Sequence, residues 1–137
     1  MIKDSKFLKE IQEDWKGVRS LQKVIGIGEF DAVSKGSIAS ITSFRVAHNL
    51  TLVFAFSVLK DILIQLRDEE YFRSERSNLG PLMNKSKKYI PWIDFDTIDK
   101  GREIRNKIAH DNEIIDAKIC FKYINAIECE LKAWEII

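Results

Sequence analysis

The chain has 137 residues, 45% of them apolar and 31% charged, with a formal net charge of +1. That length holds one core and is too short for two domains of ordinary size, and the composition excludes disorder as the default state. A nearly neutral chain has no overall basic field, so any attraction for nucleic acid must come from a local patch or from a dimer that concentrates charge.

Apolar residues recur at helical spacing almost throughout, with no convincing alternating strand. A first helix is predicted from about Lys3 to Ile25, with Phe7, Leu8, Ile11, Trp15, Val18, Leu21 and Ile25 on one stripe. Gly26 and Gly28 in GIGEFDAVSKG read as its stop signals. Ser37 suits the N-cap of a second, long helix ending near Arg67. That helix is apolar nearly all round from Leu50 to Leu66, which places it at the centre of the bundle. Its uncharged run, Val46 to Leu59, is 14 residues, too short for a membrane span.

The stretch DEEYFRSERSNLGP is charged and turn-rich, an exposed connection. Pro81 suits the first turn of a short helix, LMNKSKKY, and IPWIDFD is an irregular link. Asp96 or Thr97 then caps a helix that runs to about His110, and Asp116 begins a last helix with Ile119, Tyr123, Ile127, Leu131 and Trp134 at helical spacing. The expected fold is all-α: one domain over residues 1–137, an up-and-down bundle of four to five helices around a long buried central one.

Cys120 and Cys129 are nine residues apart on that last helix. This sets them about 13 Å apart along its axis and on opposite faces, so they neither pair nor share a metal. Sparse free cysteine fits a reducing cytosol. MIKDSKFLKE has no apolar core and does not read as a signal peptide. The expectation is a soluble cytoplasmic protein with no membrane contact and no cofactor.

The informative stretch is RNKIAHDN, Arg105 to Asn112. With Arg102 at zero on a helical wheel, Ile104 and Ile108 point to the far side, at roughly 200° and 240°. Arg102, Arg105, Asn106 and His110 share an arc of about 140° opposite them. Metal-free RNA cleavage needs a base for the 2′-hydroxyl proton and a cation on the phosphate. A neutral imidazole suits the first and a planar guanidinium the second, while an amide can orient either. Lys107 and Lys88 are further candidate substrate contacts. On spacing alone, a solvated helix face ending in a dipole-favoured His accounts for the same letters.

Arg105-Asn106, then Lys-Ile-Ala, then His110, closing a helix before a short loop and a last amphipathic helix, resembles the HEPN superfamily. The architectural likeness covers most of the chain; the sequence likeness is little more than GREIRNKIAHDNEIID. The resemblance implies a metal-independent endoribonuclease, often a toxin or antiviral effector, acting on RNA as a homodimer with two motifs meeting across the interface. It assigns His110 as general base or acid, Arg105 as phosphate clamp and Asn106 as orienting group; Arg102 is added from the wheel alone. An antitoxin protein is a further implied partner. HEPN toxins paired with a nucleotidyltransferase antitoxin often carry Tyr two residues after the His, where this chain has Asn112, so that route of control is in doubt. The alternative is a non-catalytic HEPN-like interaction or nucleotide-binding module. An apolar, self-complementary patch adjoining the motif would favour the nuclease.

Other features read more plainly. His48, three residues after Arg45, is expected to pack or hydrogen-bond within its helix rather than face a cleft. Asp61, in an apolar helix, is expected to pair with a Lys or Arg rather than to set the protonation of His110. The segment NKSKKYIPW, with Lys85, Lys87, Lys88, Tyr89 and Trp92, could stack and track RNA, but its lysines read more simply as solvated and Trp92 as a plug. Gly26-Ile27-Gly28 lacks the strand that a phosphate loop requires, and there is no metal-spaced His/Cys/Asp cluster and no activated Ser or Cys.

Overall fold

A computed structural model describes residues 1–36 and 41–137, so the capping role expected of Ser37 lies outside the described residues. Among these are five helices and no strand: α1 (Ser5–Ser34), α2 (Ile41–Asp68), α3 (Leu79–Ser86), α4 (Phe95–Asp111) and α5 (Ala117–Ala133). The fold is an all-α bundle. Helix α2 packs against each of the other four and buries Leu52, Phe56, Leu59, Ile62, Leu63 and Leu66 at its centre. By length and composition Thr42–Asp68 would suffice to cross a membrane, yet more than half of its apolar window is buried inside the bundle. One stripe of α2 is left exposed, formed by Val46, Leu50 and Phe54.

Helix α1 starts where Asp4 accepts hydrogen bonds from the Lys6 and Phe7 amides, both at 3.0 Å. It does not stop at Gly26 and Gly28 but runs to Ser34. A mid-helix glycine costs only about 1 kcal/mol, and Gly28 lets the Phe44 ring of α2 approach to 3.3 Å of where a Cβ would stand. The stop is set by Gly36, whose φ of 71° is a left-handed helix exit. Ile11, Trp15, Val18 and Ile25 are buried as expected, while Leu21 is exposed and Gln22 takes the inward place.

Helix α3 begins after Asn78, with Pro81 in its first turn, where the missing amide has no intrahelical bond to lose. It ends at Ser86, short of the expected Tyr89. Helix α4 is capped by Asp94, two residues ahead of the nearer expected cap. Thr97 donates to Asp94 from its amide at 3.2 Å and its hydroxyl at 2.6 Å. The two expected caps therefore lie inside the first turn. Asp116 caps α5 as read, accepting from the Lys118 amide at 2.9 Å. Tyr123, Ile127, Leu131 and Trp134 are buried, and Cys120 rather than Ile119 continues the inward face.

Two features fix the pose of α4. Gly101 is buried, and a Cβ there would stand 2.7 Å from Tyr123 Cδ1 and 2.9 Å from Phe56 Cζ. The glycine lets α4 lie flush against α5 and α2. Beyond its C-terminus, the buried Asn49 amide grips the following loop: Nδ2 donates to the Ile115 carbonyl and Oδ1 accepts from the Ile115 amide, each at 2.7 Å. With Ile98 buried and Ile104 and Ile108 packed on the core, the opposite face of α4 turns outward.

Candidate functional site

A cleft of about 430 Å³ opens where α2, α3 and α4 meet. One wall is Arg102, Arg105, Asn106 and His110 of α4. The facing wall is Phe56, Ser57 and Lys60 of α2, and the start of α3 from Asn78 to Pro81 closes the end. The four α4 side chains grouped on the wheel thus line one concavity. Lys107 and Lys88 do not. Lys107 lies farther round the helix, and its carbonyl accepts the Asn112 and Glu113 amides; Lys88 follows α3 at the end away from the cleft.

Arg105 is the half-buried cation of the site. Its Nε is shielded from solvent and has no hydrogen-bond partner, and no carboxylate pairs with it among the described residues. Burial, and then the neighbouring Arg102 charge, weigh against its protonated form, although a guanidinium holds its proton at any ordinary pH. Arg102 is more tied down. Its Nε donates to Asp99 Oδ1 at 2.9 Å, and its guanidinium lies against Gly80, 3.4 Å from where a Cβ would stand. It braces the cleft and carries a partly neutralised charge, whereas the wheel presented it as the equal of Arg105.

His110 is exposed in the last turn of α4, one residue before Asp111 ends the helix. Asn112 makes that ending, at φ 53°, with its amide donating to the Lys107 carbonyl. Asparagine tolerates this left-handed geometry, where a bulkier side chain is strained. The position two residues after His110 therefore has a structural use of its own. No carboxylate lines the cleft, and its charges are Arg102, Arg105 and Lys60 beside the titratable His110. Such a lining attracts an anion and offers a divalent ion none of the carboxylates that usually hold one.

The remaining expectations resolve simply. His48 is buried, packs edge-to-face on Phe121 at 5.0 Å and stands outside the cleft, with Glu29 Oε1 3.7 Å from its Nε2. Asp61 is exposed and forms no ion pair among the described residues, contrary to the pairing expected of it. Partial burial raises its carboxyl pKa, with Lys60 nearby opposing the shift. Trp92 is a plug. Its indole donates to Ser86 Oγ at 3.0 Å and its ring meets Trp134 edge-on at 4.7 Å. Lys87 sits over the Phe95 ring at 4.6 Å.

Sequence reading missed Lys60, Ser57 and Asn78. Lys60 carried a signal, as the first charge to break the apolar run of α2. Ser57 and Asn78 carried none, because their place depends on how α2 and α3 meet α4. Compared with protein-family models, curated proteins and solved structures, the chain matches none.

Proposed function

We propose that the cleft is one half of a metal-independent endoribonuclease site of the HEPN type, in a protein that acts as a homodimer in a toxin or phage-defence setting. The observation that carries this reading is the convergence of Arg105, Asn106 and His110 in a cleft lined by no carboxylate, with the Arg105 Nε lacking any hydrogen-bond partner among the described residues. A half-buried cation whose shielded Nε has no partner gains from a ligand that completes it, and a phosphate has the matching charge and geometry.

In the proposed reaction, His110 takes the proton of a ribose 2′-hydroxyl. The 2′-oxygen attacks the adjacent phosphorus, and the P–O5′ bond breaks. The 5′-oxygen leaves with a proton from the facing motif's imidazolium. Arg105 holds the non-bridging oxygens as charge builds on them, and Asn106 orients the imidazole or the ribose. An exposed His110 is reachable by a second copy as well as by solvent.

The apolar stripe Val46, Leu50 and Phe54 favours the dimer. It recurs at i, i+4 and i+8 on α2 and leads to Ser57 in the cleft wall, so a self-complementary contact there would bring two clefts together. The test is product chemistry. Incubated with RNA in EDTA, the protein is expected to leave 2′,3′-cyclic phosphate and 5′-hydroxyl ends. Ends bearing 3′-hydroxyl and 5′-phosphate, or cutting only when a divalent ion is added, would overturn the reading.

A further inference from the structure

Beside the cleft lies a larger hollow of about 970 Å³, walled by Arg67 at the end of α2, by Arg73 and Arg76 in the loop after it, and by Lys85 of α3. Pro81 lines both concavities. Lys60 in the cleft and Arg67 in the hollow are seven residues apart on α2, which places them on one side of that helix and about 10 Å apart along it. The two concavities are neighbours along a single edge of the bundle.

We infer that they form one track for the backbone of single-stranded RNA, with the hollow holding the phosphates that flank the one at Arg105. The inference rests on the ribonuclease reading of the cleft and adds a binding site to it. Arg73, Arg76 and Lys85 are exposed and make no ion pair among the described residues. Arg67 is paired with Asp68, its Nε 3.2 Å from Oδ1, and Glu70 and Glu75 also line the hollow, so Arg73, Arg76 and Lys85 face two carboxylates and the balance stays basic.

The loop that carries the two arginines is pinned. The Glu70 and Tyr71 amides donate to the Arg67 and Leu66 carbonyls at 2.9 and 3.0 Å, Phe72 is buried, and Ser74 Oγ donates to the Arg76 carbonyl at 2.8 Å. Arg67 Nη1 donates to Ser77 Oγ at 2.9 Å from the helix side. The cations stand on a fixed surface that loses little freedom when a strand lies on it. Phe72, the aromatic residue of the lining, is buried and gives a base little ring face to stack on. The hollow therefore reads phosphate and leaves the base sequence unread. At the ~3.4 Å rise of a stacked strand, the offset from cleft to hollow spans roughly three nucleotides.

The experiment measures affinity for a non-cleavable 2′-O-methyl RNA 12-mer over a range of salt. It compares the wild type, the triple variant Arg73→Ala/Arg76→Ala/Lys85→Ala, and Glu75→Gln. The triple variant is expected to bind at least tenfold more weakly and to lower the slope of log K against log salt by about 2, at ~0.7 per phosphate for single strands. Glu75→Gln is expected to tighten binding. Wild-type affinity and slope in the triple variant would overturn the track, as would loss of affinity in Glu75→Gln. Cleavage of a dinucleotide, scored on the same wild-type preparation, reports on the cleft alone. Absence of that cleavage counts against the nuclease reading, whereas the track is decided by the 12-mer binding.

Discussion

Two regions of this bundle shield polar atoms of a charge-bearing side chain from water and treat them in opposite ways. At the tryptophan plug, the buried Glu130 carboxylate accepts the Ile93 amide at 2.8 Å and the Asp94 amide at 2.7 Å, tying α5 to the start of α4. Toward the other end of α4, the Arg105 Nε is buried with no hydrogen-bond partner among the described residues. Gln22 Nε2 and His48 Nε2 also lack a hydrogen-bond partner among the described residues, although Glu29 stands 3.7 Å from the latter. Of the three, only Arg105 bears a permanent charge, and it lines the cleft between α2, α3 and α4. A satisfied group holds the fold; an unsatisfied one in an open cleft is what the proposed phosphate contact would complete.

Substitutions can break this contrast. The largest effect is on chemistry: His110→Ala and Arg105→Ala are each expected to lower RNA cleavage by about 10²–10⁴-fold, with helical content unchanged by circular dichroism. Glu130→Ala should do the reverse. It strands two amides and opens a gap in the plug, and is expected to lower urea-unfolding stability by about 3 kcal/mol, with cleavage per folded molecule retained.

Gly101→Ala sharpens the comparison between the ends of α4. Its methyl would meet two aromatic rings, and a loss of about 2 kcal/mol is expected despite the better helix propensity of alanine. Glu128 tests a satisfied carboxylate nearer the surface. Hydrogen bonds from Arg19 hold its pKa down to about 2, helped by the Trp15 indole. A depressed carboxyl pKa stabilises the fold above the ordinary value near 4.5 and loses that contribution as pH falls toward 2. Glu128→Gln is thus expected to cost about 1 kcal/mol at pH 6, with the gap to wild type shrinking by pH 3 in urea titrations. The smallest effect separates the two regions most sharply. Arg105→Ala should leave stability within about 0.5 kcal/mol of wild type, because it removes an uncompensated cation rather than a bond.

The fold was legible where one helix face had to be apolar. The α5 cap and stripe, the central α2 and the outward face of α4 all follow from spacing. The end of α1 was not, because Gly28 is placed for Phe44, a neighbour on another helix, and Gly36 is the true exit. The α4 cap was misread because Asp94, Asp96 and Thr97 offer similar oxygens, and only the buried grip of Glu130 on the Asp94 amide fixes where the turn begins. One wall of the cleft was written in α4, while the facing wall of α2 and α3 depends on tertiary packing. That is why Ser57, Asn78 and the hollow around Arg73 were invisible in the sequence while Arg105 and His110 were not.

The most direct test is a cleavage assay on mixed cellular RNA with EDTA present throughout, comparing wild type with His110→Ala after both are shown to share elution volume and helical spectrum. The account predicts cutting by the wild type and none by the variant. Equal behaviour of the two proteins, cutting or silent, would contradict it.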